Sequence, residues 1–401
     1  MVLQFGCLML CAGALAGAQE IQESALGSLA PVIGSIQKSQ GYPLSYAERK
    51  GISVAEWRRR GRAEVLHRLG YSPKAVPLDL KVHSRERREG YELRRISFAG
   101  SEYYRVPALL LVPLAGKPPY PAVVALHDHG GYFYHGKEKL VDNVPEHPAL
   151  IPFRERYYGG RAYAPELARR GFVVLAIDAF YWGERRLEYR QGPPDFRKRI
   201  EGLKPDQAEY VMAVNQYLGQ QTSALNTWMN LMGTSWLGII QHDDRRSVDL
   251  LLSLPEVDKS RIGCVGLSVG GLRATYLAGM DPRIRAAVIV GWMTTLATIL
   301  DLDRPMHANL PAAPGLHAYL DHPDVASLAA PDCAIYVQQC ARDALFTPAG
   351  MQAAAEKIGA VYRGMERAER FRWKFFDVPH QFNLEMQEEA FQWLARWLGK
   401  P

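Results

Sequence analysis

The spacing of apolar residues along the chain changes period, and the change divides the sequence. Between Tyr91 and Val112 apolar and polar residues alternate (Leu93, Ile96, Phe98, then Tyr104, Val106, Leu109, Leu111), the period of an antiparallel strand pair with one face covered. Beyond it the alternation stops. Short unbroken apolar runs follow at Ala122–Leu126, Phe172–Ile177, Ile262–Val265, Ala286–Val290, Ala334–Val337 and Phe371–Val378. Such runs suit strands buried on both faces, as in a parallel sheet. Helical stretches lie between them: Ala164–Arg170 closed by Gly171, Ser235–Leu254, the segment after Ser268, Pro348–Met365 behind a Thr347 N-cap, and Leu384–Leu398 behind Asn383. Strands alternating with helices predict an α/β fold, a doubly wound and mostly parallel sheet with antiparallel strands at one edge and helical insertions.

Residues 19–92 read as a polar helical arm with one clear helix, Ser53–Leu69, ended by Gly70, and the sheet domain then runs from 93 to 401. Two connections, near 132–161 and 184–234, are longer than compact domains usually tolerate unless they serve as lids or binding loops. Both leave strand ends, the edge at which open α/β sheets bind ligands.

Composition narrows this picture in three ways. The net charge of +6 comes with acidic residues spread among the basic ones, and the densest basic run, Arg58 to Arg62, reads as a solvated helix face, so no nucleic-acid partner is expected. The first 18 residues form an apolar leader ending in Ala16-Gly17-Ala18, which resembles a signal peptide without a basic start; secretion or export to the periplasm is expected, with no stable membrane insertion. Two of the five cysteines, Cys7 and Cys11, fall in that leader. Cys333 and Cys340 share one predicted strand, where about 3.3 Å per residue sets them on opposite faces and too far apart for a disulfide.

Chemistry concentrates at Gly266-Leu267-Ser268-Val269-Gly270, a G-x-S-x-G turn between an apolar strand and a helix with a small-residue face. A serine hydroxyl is a weak nucleophile at neutral pH and needs a base, an acid to orient that base, and donors for an oxyanion. Asp343, past the Ala334–Val337 strand, and His380, past the last strand, complete the order serine, acid, histidine. Asp377 is a rival acid, but it falls within the last predicted strand. The glycine-rich His127-Asp128-His129-Gly130-Gly131 follows the first parallel strand; the backbone N–H groups of His129 and Val269 are the expected oxyanion donors. His127 and His129 could instead be metal ligands, but no partner at ligand spacing accompanies them, and neither metal nor cofactor is expected. His127, Asp128, Tyr132, Tyr181, Trp182 and Phe346 fall near strand ends and suggest a substrate pocket, although strand-end aromatics serve equally as core. Asp244, on the apolar stripe of its helix, needs a buried partner, for which Arg273 is the candidate.

The run PEVDKSRIGCVGLSVGG (Pro255–Gly271), with HDHGG upstream and RDALFTP and VPHQFN downstream, resembles the α/β-hydrolase superfamily, and within it the dienelactone-hydrolase-like and acetyl-xylan-esterase-like branch, over roughly Tyr91 to Gly399. The resemblance implies an ester hydrolase with Ser268 as nucleophile, His380 as base and Asp343 as acid. Dienelactone hydrolases proper carry cysteine where this chain has Ser268, which turns the expectation from lactones to short-chain esters of carbohydrate or aryl alcohols as the small-molecule partner. Prolyl-oligopeptidase-type peptidases share the serine corner but carry a propeller domain, for which the stretch before Tyr91 is too short. A non-catalytic binding protein on the same scaffold would be expected to have lost at least one triad residue, and all three are present.

Overall fold

The computed structural model describes residues 29–39, 41–299 and 310–399; the leader read at 1–18 lies outside them. Nine strands follow in chain order: β1 (Lys81–Arg88), β2 (Tyr91–Ala99), β3 (Arg105–Pro113), β4 (Tyr120–Leu126), β5 (Val173–Ile177), β6 (Val257–Leu267), β7 (Ile284–Val290), β8 (Ala334–Cys340) and β9 (Phe371–Phe376). The helices are α1 (Ala30–Ser39), α2 (Val54–Leu69), α3 (Leu150–Tyr158), α4 (Tyr163–Arg169), α5 (Pro194–Ile200), α6 (Ala208–Leu231), α7 (Trp236–Ser253), α8 (Val269–Met280), α9 (Leu296–Ile299), α10 (His322–Ser327), α11 (Pro348–Gly364) and α12 (Leu384–Leu398). No described helix is long and apolar enough to cross a membrane.

The strands form one sheet in the order β1-β2-β3-β5-β4-β6-β7-β8-β9. The first three strands and the β3–β5 contact are antiparallel. Every pairing from β5 to β9 is parallel, as the unbroken apolar runs predict. Side chains alternate across the sheet into two cores. Ile262 and Cys264 face Leu237, Ile240, Val248 and Leu272 of α7 and α8. Val265 and Leu267 face Leu167 of α4 and Phe391 and Leu394 of α12. Cys333 lies in the first core and Cys340 in the second, and the three described cysteines are free and buried. Helix starts follow local capping chemistry: the side chains of Ser53, Ser235, Thr347 and Asn383 each accept an N–H of the first turn.

Two differences from the sequence pattern concern residues 19–92. Lys81–Arg88, inside the expected helical arm, is the edge strand β1. Seven of its eight residues are exposed, so it carries charge on both faces and has no apolar alternation to betray it, a usual protection for a sheet edge. The helix α2 is present as expected, but it is no detached arm: Trp57, Val65 and Leu69 belong to the first core. Nor is its basic run wholly solvated. Arg62 donates from Nε to the Gly279 carbonyl at 2.7 Å, and Arg58 Nε to the Leu328 carbonyl at 3.1 Å, so guanidinium groups satisfy the ends of α8 and α10.

The two long connections fold onto each other. The first holds α3 and the second α5 and α6. Tyr134 N–H donates to Asn215 Oδ1 at 2.8 Å, His147 Nε2 lies 2.9 Å from the Pro205 carbonyl, and Gly183 N–H donates to the Phe133 carbonyl at 3.0 Å.

Behind the sheet, α7 and α8 are joined by the charge pair the apolar stripe demanded. Arg273 reaches Asp244 with Nη2 at 2.6 Å and Nε at 3.1 Å, both side chains fully buried. Burial raises the carboxyl pKa of Asp244, and Arg273 opposes the shift. A buried pair of this kind is expensive to halve and cheap to replace whole. Asp244→Ala should lower unfolding free energy by about 3–5 kcal/mol in urea melts, and Asp244→Leu with Arg273→Met should recover most of it. A single variant within about 1 kcal/mol of wild type would show that the pair does not hold the two helices.

Candidate active site

The strand β6 ends at Leu267 and α8 begins at Val269, so Ser268 occupies the corner between them with φ +59° and ψ −122°. That conformation is costly for any residue with a Cβ, on the order of 1–3 kcal/mol. The surroundings enforce it. A Cβ on Gly270 would lie 2.1 Å from the Leu126 carbonyl oxygen, and one on Gly266 would lie 2.5 Å from the Gly270 carbonyl carbon. Glycine at both positions therefore lets α8 start directly against the end of β4. The corner is pinned by Ser268 N–H donating to the Val290 carbonyl (2.8 Å) and Leu272 N–H to the Ser268 carbonyl (2.9 Å). Ser268 is the N-cap residue of α8, yet its hydroxyl makes no capping bond.

His380 and Asp343 come to the same edge. His380 Nδ1 is bonded to Asp343 Oδ2 at 2.6 Å, with the carboxylate buried and the imidazole 17% exposed. The other carboxylate oxygen, Oδ1, accepts Leu345 N–H at 2.8 Å, which fixes the acid in its turn. The His380 ring packs against Gly291, where a Cβ would stand 3.2 Å from Cε1; Gly291 directly follows Val290, the acceptor of Ser268 N–H. The imidazole, carried past β9, thus reaches across to the end of β7, the strand paired with the one that ends at Ser268. Asp377 lies just past the end of β9, is largely exposed, and pairs with Arg342 at 3.0 Å. The acid facing His380 is Asp343.

The loop 127–131 is built from below. His127 is fully buried; its Nε2 accepts Ala179 N–H at 3.1 Å, so Nδ1 carries the proton donated to the Asp128 carbonyl at 2.9 Å. Burial, then the Arg273 and Lys139 charges, hold its pKa well below the ordinary histidine range. With both ring nitrogens engaged, His127 cannot serve as the metal ligand considered from sequence. Lys139, also fully buried, donates to the carbonyls of Asp128 (2.9 Å) and His129 (3.0 Å); burial pushes its pKa down to about 8, with Asp128 opposing. In a trans peptide the N–H points opposite the carbonyl, so anchoring the Asp128 carbonyl inward turns His129 N–H away from Lys139. Gly130 and Gly131 have φ of +55° and +66°, and Gly131 N–H closes back on His129 Nδ1 at 2.9 Å. Because Gly270 abuts Leu126, this loop lies beside Val269, the first residue of α8, whose N–H has no partner within the helix.

The expected pocket side chains are a correction. His127, Asp128, Tyr181, Trp182 and Phe346 are exposed by 3% or less, so they form the backing of the site rather than its accessible surface. Asp128 accepts Tyr158 OH at 2.5 Å; Trp182 stacks on Trp236 and packs on Phe133 and the His129 ring; Phe346 packs edge-on to Trp292. Tyr132 is partly exposed, and its hydroxyl donates to the Ala149 carbonyl at 2.8 Å. Sequence position placed these residues at the correct edge, but strand-end aromatics look the same whether they line a cavity or pack beneath it. Lys139 and Tyr158 were not foreseen, since neither carries a motif.

Among the described residues one acidic group, Glu138, Asp178 and Glu184, is compact enough to hold a cation. It already holds one: Lys137 Nζ lies 2.8, 2.6 and 2.7 Å from the three carboxylates.

The sequence model of the dienelactone hydrolase family matches residues 158–307, which include Ser268. A Bacillus subtilis (strain 168) protein named as a hydrolase, YtaP, is 25% identical over 344 residues, 85% of this chain and 100% of its own length. Among solved structures, a Bacteroides fragilis protein described as an acetyl xylan esterase superposes with a TM-score of 0.64 at 16% identity, covering 86% of this chain and 82% of that one. A glucuronoyl esterase from Solibacter usitatus gives 0.57 at 14% identity, covering 88% and 94%. The chain has the α/β-hydrolase fold, and over the matched residues it resembles the dienelactone hydrolase family.

Proposed function

We propose that this protein is a serine carboxylic-ester hydrolase acting through an acyl-enzyme. The observation that carries the reading is the 2.6 Å bond from Asp343 to His380 Nδ1, with the imidazole packed on Gly291 at the end of the strand paired with the one that carries Ser268, whose strained backbone holds a hydroxyl unused in capping. In the proposed reaction Ser268 Oγ attacks the ester carbonyl carbon while His380 Nε2 takes the hydroxyl proton, and Asp343 stabilises the resulting imidazolium. The carbonyl oxygen becomes an oxyanion, held by the N–H groups of Val269 and His129. Collapse breaks the bond to the alcohol, which leaves with the proton from His380. Water, deprotonated by His380, then attacks the acyl-enzyme, and the second collapse releases the carboxylic acid and restores Ser268.

The proposed substrates are short-chain esters of carbohydrate or aryl alcohols. Their support is the bonding of the two insertions to each other across the β4 and β5 ends, which confines the space above the corner. The name of the acetyl xylan esterase neighbour is consistent with a carbohydrate alcohol.

Three outcomes test this reading. Ser268→Ala should lower turnover of an aryl acetate by roughly 10³-fold or more with an unchanged melting curve, and EDTA should do nothing. Full activity in that variant, or a chelator loss restored by zinc, overturns the serine mechanism. Asp343→Asn should cost orders of magnitude in kcat by leaving His380 in the wrong tautomer, whereas Asp377→Asn should cost little; the opposite ranking reassigns the acid. Along an acetyl to decanoyl series kcat/KM should fall gradually, because each methylene is worth only about 1–3 kcal/mol. A profile rising with chain length would instead indicate an open, lipase-like groove.

A further inference from the structure

At the end of α8 opposite Ser268, a cavity of about 260 Å³ opens between the end of α2, the extended segment after it, one face of α7 from Gly238 to Asp249, and Met280. The helix α8 has 12 residues, so at 1.5 Å each the cavity lies about 18 Å from the serine corner. Its lining is unbalanced in charge: Lys74, Arg245, Arg246 and Arg283 against the single carboxylate of Asp249. That carboxylate is already shared. Arg246 Nη1 lies 3.1 Å and Arg283 Nη1 2.6 Å from its two oxygens. Arg283 also pairs with Asp281 at 2.6 Å, and Arg246 Nη2 donates to the Val76 carbonyl at 2.9 Å, tying the extended segment down over α7.

Arg245 stands apart from these. Its Nε is buried without a partner, and its guanidinium has no hydrogen bond or ion pair among the described residues. A like charge lies close by: Arg62 of α2, spent on the Gly279 carbonyl, has its pKa pushed down to about 10 by burial first and then by Arg58, with Arg245 contributing. A cation that is partly desolvated, faces a cavity and has a like charge for a neighbour lacks its counter-charge. A guanidinium offers a planar fork that fits two oxygens of one carboxylate or phosphate. Leu66, Leu69 and Met280 line the same cavity and give the carbon part of a ligand an apolar surface.

We propose that this cavity is a second binding site, separate from the catalytic corner, for a small organic anion whose carboxylate or phosphate is clamped by Arg245, with Lys74 at the rim. The extended segment after α2 forms one wall, held in place by Arg246. The inference does not depend on the ester chemistry, and its test reads binding alone.

The full chain would be titrated with citrate and, separately, inorganic phosphate at ionic strength held constant with sodium chloride, following heat and melting temperature. At least one of the two should bind saturably and raise the melting temperature, and the one that binds tells whether carboxylate or phosphate is preferred. Arg245→Gln should weaken that binding at least tenfold. Arg85→Gln, on the exposed edge strand, should leave it unchanged. Because Arg245 makes no bond among the described residues, Arg245→Gln without anion should melt at or above the wild-type temperature. Binding no better than chloride for both probes, equal affinity in Arg245→Gln, or a lowered anion-free melting temperature in that variant would each overturn the proposal.

Discussion

The constraint on which the site depends is the close approach of α8 to the end of β4. The helix can begin there only because Gly266 and Gly270 have no Cβ, and that approach drives Ser268 to φ +59°. A strain on the order of 1–3 kcal/mol persists only where neighbours over-determine the backbone. Here the bonds to Val290 and from Leu272 do so, with the sheet fixed on both sides. The same approach sets the first free N–H of α8 beside the loop 127–131. One steric fact thus fixes the direction of the hydroxyl and the distance between the two proposed donors.

Around that corner the backbone leaves regular structure, and buried charges replace the missing ladder bonds. Arg273 holds Asp244 of α7 and approaches the His127 carbonyl at 3.5 Å, linking two helices to the loop. Lys139 holds two loop carbonyls, and Lys137 ties the first insertion to Asp178 past β5 and to Glu184. Each such cation must be fully paired to be tolerable in a medium of low dielectric. Their placement has a structural consequence: the loop can move only if several bonds break together, which keeps its amides aligned without a regular element to hold them.

The parallel strands and capped helices were legible because burial on both faces and side-chain caps leave local signatures. Ser268, Asp343 and His380 were legible as an ordered set at strand ends, and the geometry joins Asp343 to His380 while leaving Asp377 in solvent. β1 was not, since an exposed edge strand has no reason to alternate. Lys139 and Tyr158 were hidden for a different reason: their roles depend on which carbonyl or carboxylate the fold brings to them, and nothing near them in the chain records that. The Asp244–Arg273 pair shows the opposite case, where a charge on an apolar stripe demands a partner and the helix face limits the choice.

The aromatic residues of the insertions gain a different meaning from their burial. Trp182 lies between Trp236, Phe133 and the rings of His127 and His129, so it meets the loop 127–131 through those two histidines. Close-packed interiors transmit displacement rather than absorb it. Loss of the indole would therefore shift His129 and the amide beside it, and a misplacement of about 1 Å at a reacting group can cost on the order of 10²-fold in rate. A side chain that touched the ground-state substrate would change KM, whereas one that only aims a transition-state donor changes kcat. On the proposed chemistry the aromatic stack belongs to the second kind, so the insertions act on turnover through the oxyanion loop as well as on substrate size through the space they close.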